Sequence, residues 1–583
     1  MIVLARNQHV EPQVGRVCYT SYRDLGGRCV EKDEIITELS LWPLDAILRV
    51  LARISRSAVQ LGDTFQDPRH GGQYLARAIV DDFPALLPRA HEMYAPGRVP
   101  ITRGRHLFIH EHNLAALASM ALAHCRQDRQ TPEVTATAFG RILRLLLILN
   151  DHLHDSAKTG GPDSLTSRRD FARSALYCDQ FNNWNGGLRK MLVELARLDL
   201  LLSRFVPSHF PAFDKYFEER LGFALSEYID LATLLAVDVF GEQGMWQREA
   251  SPWFRLAEVR PSQGGPGPSI ERLFRSLAQT PAQFGTPSRS LFEFQDPLLR
   301  PIIEARTGEF VIPVLSLFFA RLFEGPFLLL KCEGSRAGEF GVALGHAYEE
   351  YAQGLVQRLG VGDRPGPWEC RSNIIVGGGE IDSLLWRRGA CLAFEHKAKG
   401  FAAGIGKWRA AENAIGPSDR EIEQAAFSEA DTTPTDDAAV TQPLQQFSRS
   451  GESLMNYLAR SFGPTTRVFP VITSLAPYHI DEWVRLGYIE PLIRDQGLFE
   501  DDRWAQPQWL RAWDLEALAA VAQHGLLDLQ DLMETKTREA AAQRFDTFLA
   551  EHFGSIFIDP TLFDHAQALL QRSEDRWFAE KAK

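Results

Sequence analysis

The sequence predicts an α+β chain, mostly helical, with one β-rich segment between two helical regions. Three observations predict it. Apolar residues recur three and four apart through most of 36–335 and again after 476. Between these stretches, NIIVGGGEIDSLLW, the turn RRGA and CLAFEHKAKG form β-rich runs separated by short turns. A helical pattern precedes those runs, and a further helix and strand follow them, giving the order helix, three strands, helix, strand. A length of 583 residues is consistent with several domains.

Taken in order, 1–35 form an extended N-terminal segment whose runs RVCYTSY and GGRCV suggest a hairpin. The region 36–335 reads as helical, with loops at TGGPD and PSQGGPGP. Its most apolar stretch, 311–330, is interrupted by Pro313, Arg321, Glu324 and Pro326. A buried helical hairpin explains those interruptions better than a membrane span. The β-rich segment occupies 336–475 and opens with the single helix GEFGVALGHAYEEYAQGLVQRLG. Its last strand, TRVFPVITSLAP, contains Pro470, which predicts an edge strand or a bulge. Within it, 419–437 hold seven acidic residues and one basic residue, the composition of a solvated acidic loop. The region 476–583 returns to helix.

Charge and cysteine usage exclude some classes of function. Lys plus Arg number 63 against 75 Asp plus Glu, a net charge of -12. A uniformly basic nucleic-acid coat is thereby excluded, so any nucleic-acid function needs a local patch. The seven cysteines contain no C-x-x-C pair, and the N-terminus has no apolar signal segment. The expectation is a soluble, cytoplasmic protein with no membrane partner. No Walker A sequence is present.

Chemistry concentrates in one hairpin. Glu395 and Lys397 are two apart on a strand and share a face. If Arg388-Gly389 is a two-residue turn, Arg387 faces Ala390, and counting back along the hairpin Asp382 faces Glu395. Their Cβ atoms then lie roughly 5 Å apart, where like charges repel. A divalent cation, Mg²⁺ or Mn²⁺, removes that conflict. On the preceding helix, Leu344, Tyr348, Tyr351, Leu355 and Leu359 form the apolar stripe, which leaves Glu349 on its shoulder and Glu350 nearer solvent. Glu349 is therefore the candidate third metal carboxylate beside Asp382 and Glu395. Lys397 is the candidate to stabilise charge on a phosphoryl group or to orient the attacking water. The surrounding 380–410 carry six basic residues against three acidic ones. Lys399, Lys407, Arg409 and Arg388 are the candidate nucleic-acid contacts.

These residues resemble the PD-(D/E)XK nuclease superfamily. Tyr348-Glu349 on a helix, Gly379-Glu380-Ile381-Asp382 and Phe394-Glu395-His396-Lys397 carry the resemblance, which covers about 340–475. It implies a restriction-endonuclease-like αβββαβ domain that cleaves phosphodiester bonds, usually in DNA, with a metal ion. By motif match, Asp382 and Glu395 are the metal carboxylates, Lys397 the catalytic lysine and Glu349 the helix acid. Ile381 stands where the family often has proline, and Gln445 and Gln446 do not complete the Q-x-x-x-Y of the RecB-like branch. The plan resembles bacterial antiphage-defence and DNA-processing nucleases, with 36–335 selecting substrate or docking a protein partner. The alternatives are a non-catalytic nucleic-acid-binding scaffold or regulatory subunit, and an RNase.

Other signals have simpler readings. His106 and His110 have helical i, i+4 spacing, and His154-Asp155 suggests a phosphohydrolase pair, but helix-face histidines account for them. Gly377-Gly378-Gly379 lies between strands and reads as a bend. His396 alternates away from Glu395 and Lys397 and reads as packed.

Overall fold

Helices make up most of the described chain. The computed structural model describes principally 17–19, 22–23, 28–61, 105–107, 111–126, 136–156, 187–240, 254–255, 267–280, 300–332, 336–398, 453–461, 467–475, 490–495, 501–541, 545–554 and 557–579, with short gaps within some segments. The acidic loop expected at 419–437 lies outside these residues.

The first strand, β1 (Val17–Tyr19), pairs in parallel with β2 (Arg105–Leu107). The hairpin expected within 1–35 is therefore replaced, at these residues, by a pairing across a long crossover, as parallel strands require. His106 stands in β2, so the helical spacing expected for His106 and His110 does not occur. Helices α1 (Lys32–Ser40), α2 (Leu44–Leu61), α3 (Glu111–His124) and α4 (Ala136–Ser156) bury Ile35, Leu48, Leu117 and Leu146 in one shared core.

A second core gathers α5 (Gly187–Leu200), which continues through a π-turn at Leu201–Phe205 into α6 (Val206–His209), with α7 (Phe213–Leu221), α8 (Leu225–Phe240) and α9 (Gly267–Leu277). Beside it lies a small sheet that the helical pattern did not announce. It contains β3 (Phe254–Arg255), β4 (Ala278–Gln279), β5 (Ile302–Arg306) and β6 (Glu309–Val311), ordered β3-β6-β5-β4. The apolar stretch after it folds as α10 (Leu315–Phe323) and α11 (Gly325–Cys332). Pro326 falls in the first turn of α11, where its missing N–H is harmless. Among the described residues no helix is long and apolar enough to cross a membrane.

Helix α12 (Ala337–Val361) joins two cores. Phe340, Leu344 and Ala347 pack with the α5–α11 group, whereas Tyr348, Leu355 and Leu359 pack under a five-stranded sheet. That sheet contains β7 (Glu369–Val376), β8 (Gly379–Arg387), β9 (Ala390–Lys397), β10 (Arg467–Ser474) and β11 (Gln508–Arg511), ordered β11-β10-β9-β8-β7. The β7–β8–β9 meander is antiparallel, and β10 is parallel to both β9 and β11. Residues 453–461 are largely helical and precede β10, with Leu454 and Leu458 buried.

Pro470 is not at an edge: β10 has β9 on one side and β11 on the other. The N–H groups of a parallel strand alternate sides, and Val468 N bonds Arg503 O on the β11 side. Pro470 shares that direction, but the β11 ladder begins only at Val471–Gln508. From Val468–Trp504 to Val471–Gln508 the register shifts by one residue, so Pro470 sits at a bulge-like irregularity, the alternative expected for it, where no ladder bond needs its missing donor.

The remaining helices are α13 (Glu490–Asp495), α14 (Ala512–Gln523), α15 (Leu529–Glu539), α16 (Phe545–Phe553) and α17 (Pro560–Ala579). Helix α14 packs on α12, while α17 returns to the second core through Leu562 and Leu569. Asp230 of α8 accepts from Arg572 and Arg576 of α17, both at 2.7 Å. A buried cluster links α5, α12 and α14. Arg197 Nε donates to Glu516 Oε1 at 2.5 Å, and Tyr351 Oη donates to the same oxygen at 2.7 Å.

Gly362, the residue after α12, packs against α14: a Cβ there would stand 2.8 Å from the Ala522 backbone. Backbone atoms cannot swing aside as a flexible side chain can. Gly362→Ala should therefore lower stability by about 1–3 kcal/mol, measured by urea denaturation. A neutral substitution would show that the two helices separate freely.

Candidate active site

The hairpin closes between Arg387 and Ala390, which pair directly. Gly389 takes a φ of 88°, a left-handed conformation suited to glycine. Pairing then runs from Arg387–Ala390 to Ser383–Phe394, the register that a two-residue turn requires. One position further along stand Asp382 and Glu395, where the ladder has ended. Asp382 is 8% exposed and Glu395 1% exposed. On the other side of β9, Glu395 is level with Ile472 and Lys397 with Ser474 of β10.

Strand alternation sends His396 to the opposite face. There its ring lies between Ser383 Oγ (2.9 Å) and Thr473 Oγ1 (2.7 Å), one hydroxyl at each nitrogen. Its backbone N–H donates to Asp382 Oδ2 at 2.6 Å, which orients that carboxylate toward β9. Burial, assisted by Lys397, pushes the imidazole pKa down to about 3. His396 thus stays neutral in the fold, while the unfolded side chain takes up a proton below about 6.5. Its contribution to stability is whole above that pH and is lost as pH falls toward 3. His396→Gln should flatten the acid limb of a melting-temperature profile between about pH 4 and 6.5. An unchanged slope would exclude a buried neutral imidazole.

Lys397 Nζ donates to Glu395 Oε1, and the other carboxylate oxygen, Oε2, is buried with no hydrogen-bond partner among the described residues. Burial raises the pKa of both Asp382 and Glu395. The Glu395 charge raises Asp382 further, whereas Lys397 opposes both shifts. Burial pulls Lys397 down, but Glu395 and Asp382 outweigh it, so the ammonium is held above its ordinary range. The pair and its lysine form one electrostatic unit, with desolvation pressing the two acids to share protons.

Glu349 of α12 belongs to the same field without joining the pair. Its carboxylate is a quarter exposed and near His346 Nδ1, at 3.8 Å. Burial raises its pKa and Glu380 adds to the shift, while His346 and Lys397 oppose it. Glu350, the more exposed neighbour, faces His209 at 3.4 Å. Gln353, one turn after Glu349, donates from Nε2 toward Glu349 Oε1 (3.3 Å), Asn373 Oδ1 (2.6 Å) and the Asp382 carbonyl (3.2 Å). Neither Gln353 nor Asn373 stood out in the sequence. The i, i+4 spacing from Glu349 to Gln353 is the signal that places the glutamine on this face.

As a metal site the donor set fits in part. Two hard carboxylates adjoin, and one of their oxygens lacks a partner, as a divalent-ion site requires. Among the described residues, however, no three His, Cys, Asp or Glu side chains converge closely enough to hold a metal ion. Asp382 and Glu395 are the buried pair that could hold one, and the Glu349 charge acts on both of them.

The basic surroundings are less open than their composition suggested. Arg387 donates to buried Asp363 at 2.5 Å and stacks over Trp368 at 4.6 Å. Lys399, Lys407, Arg409 and Arg388 lie outside the described residues, as do His110, Gly377 and Gly378. His154 falls within α4. No family model, curated protein or solved structure matches the chain.

Proposed function

We propose that the chain is a divalent-metal-dependent endonuclease that hydrolyses phosphodiester bonds in nucleic acid, with DNA as the first substrate to test. One observation carries the reading: two buried carboxylates, Asp382 and Glu395, adjoin where a ladder ends, with Lys397 on the same face of β9. Burial of like charges is unfavourable for a purely structural site. It is useful where a divalent cation and an anionic substrate meet. The element order α12, β7, β8, β9, helical 453–461 and β10 is compatible with the restriction-endonuclease-like arrangement implied by the motifs.

A bound Mg²⁺ or Mn²⁺ would supply Lewis-acid polarisation of the scissile phosphate and lower the pKa of a water. Asp382 and Glu395 would hold it, with the Asp382 carboxylate oriented by the His396 N–H. Lys397 keeps its proton, so it can offer positive charge to the phosphoryl oxygens as negative charge develops there. Hydrolysis joins a water oxygen to phosphorus and breaks one P–O ester bond. The attacking water gives up one proton and the leaving oxygen takes one up, while Glu349, whose carboxyl pKa burial raises, acts on Lys397 electrostatically. The helices of 36–335 would select substrate or dock a partner.

The test is a cleavage panel with supercoiled, linear and single-stranded DNA and with RNA, in Mg²⁺ and Mn²⁺. Metal-dependent cleavage of at least one substrate is expected, absent in Lys397→Ala. A specific observation favours a second reading, a non-catalytic nucleic-acid-binding subunit: the three acids do not converge, and Lys397 rests on Glu395. Binding without cleavage, indifferent to divalent ions and to Glu395→Ala, would select it.

A further inference from the structure

The β7–β8 ladder skips one position. Pairing runs from Glu369–Trp386 to Ser372–Ser383 and resumes at Ile374–Ile381. The position between sets Asn373 against Asp382. Asn373 has a φ of 53°, in the left-handed region. That conformation costs a residue with a side chain about 1 kcal/mol, and asparagine tolerates it better than most. Strain of this kind collects at working sites. Bending an edge strand away from stray partners is another use for such a residue. Glycine would serve that purpose at lower cost, and it would need no partner from a helix.

Asn373 has such a partner. Gln353 Nε2 reaches its Oδ1 at 2.6 Å and also approaches the Asp382 carbonyl oxygen at 3.2 Å. A single amide from α12 therefore ties the strained edge residue to the main chain of Asp382. On the other side, His396 N–H holds Asp382 Oδ2. Asp382 is gripped twice, at its carboxylate by β9 and at its backbone by α12 and β7.

We infer that Gln353 and Asn373 are positioning residues for Asp382: the left-handed Asn373 interrupts the ladder so that the Gln353 amide, rather than a strand partner, sets the Asp382 main chain beside Glu395. This rests on Asp382 and Glu395 being a divalent-metal pair. Neither positioning residue touches the metal or the substrate. Both act through the geometry of one carboxylate, as outer-shell partners do elsewhere.

The experiment is Mn²⁺ titration of the full chain by calorimetry, with the EPR spectrum of bound Mn²⁺ and the melting temperature recorded for each variant. Gln353→Met removes the donor, and Asn373→Gly keeps the backbone conformation but removes the acceptor. Each should weaken Mn²⁺ binding about tenfold and alter the EPR spectrum, with the melting temperature nearly unchanged. The double variant should lose no more than Gln353→Met alone, because both act through one bridge. Wild-type affinity in both single variants, with binding abolished by Asp382→Asn, would overturn the inference and leave the metal pair standing. A loss of affinity matched by a large fall in melting temperature would also overturn it, as a general structural role. Wild-type protein binding Mn²⁺ no better than Asp382→Asn would remove the metal reading, and this inference with it.

Discussion

Asp382→Asn is expected to reduce divalent-dependent cleavage to background while raising the stability of the metal-free protein. The two signs have one cause. Asp382 is pressed toward its neutral form by burial and by the adjacent Glu395 charge. An asparagine keeps an oxygen to accept from the His396 N–H and removes the like-charge conflict. It also supplies donors next to a carboxylate with one unpartnered oxygen. The gain should be about 1 kcal/mol, the scale of one net hydrogen bond. It should also grow with pH. The folded state holds protons on raised carboxyls that the unfolded chain has released, so wild-type stability falls as pH rises above the ordinary carboxylate range. The variant escapes that fall. Paired measurements of cleavage and of melting at pH 5 and pH 8 check both halves. Retained cleavage would remove Asp382 from the site, and a stability loss at pH 8 would remove the repulsion.

Lys397→Ala should also abolish cleavage, but with the opposite effect on stability. Its ammonium is the ion-pair partner of Glu395, whose side chain is 2% exposed. Removing one partner of a buried pair strands the other, which typically costs about 3–5 kcal/mol. Lys397 is itself a quarter exposed, so about 2–3 kcal/mol is the better expectation. Without the lysine, the Glu395 carboxyl rises further and can protonate to relieve the penalty at low pH. The variant should therefore be closest to wild type near pH 5 and weakest near pH 8. Denaturant midpoints at the two values measure this, and a deficit independent of pH would contradict a stranded carboxylate. Taken together, the two variants separate a catalytic unit from a packing cluster. Both lose activity, yet one stabilises the protein and the other destabilises it.

Much of the site was legible because it depends on local periodicity. A two-residue turn read from the sequence determines hairpin register by counting, and the observed pairing from Arg387–Ala390 to Ser383–Phe394 is the one counted. Strand alternation likewise placed His396 opposite Glu395 and Lys397. The stripe of α12 was legible for the same reason: Leu344, Tyr348, Tyr351, Leu355 and Leu359 are all buried, with Glu349 on their shoulder. Pro470 was legible in part: it is not in an edge strand, but the register toward β11 shifts by one residue across it, as a bulge does. His106 misled because spacing without a neighbouring apolar pattern cannot distinguish helix from strand. The small sheet β3–β6 escaped because strands of two to five residues carry too few alternations to register.

The sequence by itself determined which side chains share a face, because turn length, strand alternation and helical pitch act over a few residues. It therefore determined that Asp382, Glu395 and Lys397 meet. Only the tertiary structure decided what surrounds them. Gln353 of α12 reaches the Asp382 carbonyl and β10 flanks β9 at Glu395 and Lys397, and the packing of these elements depends on the whole core. That packing buries the pair, raises both carboxyl pKa values and brings the Glu349 charge into the same field. It also brings Gln353 to a left-handed Asn373 across from Asp382. Local rules set direction, while desolvation and long-range hydrogen bonds depend on neighbours that no short window of sequence contains.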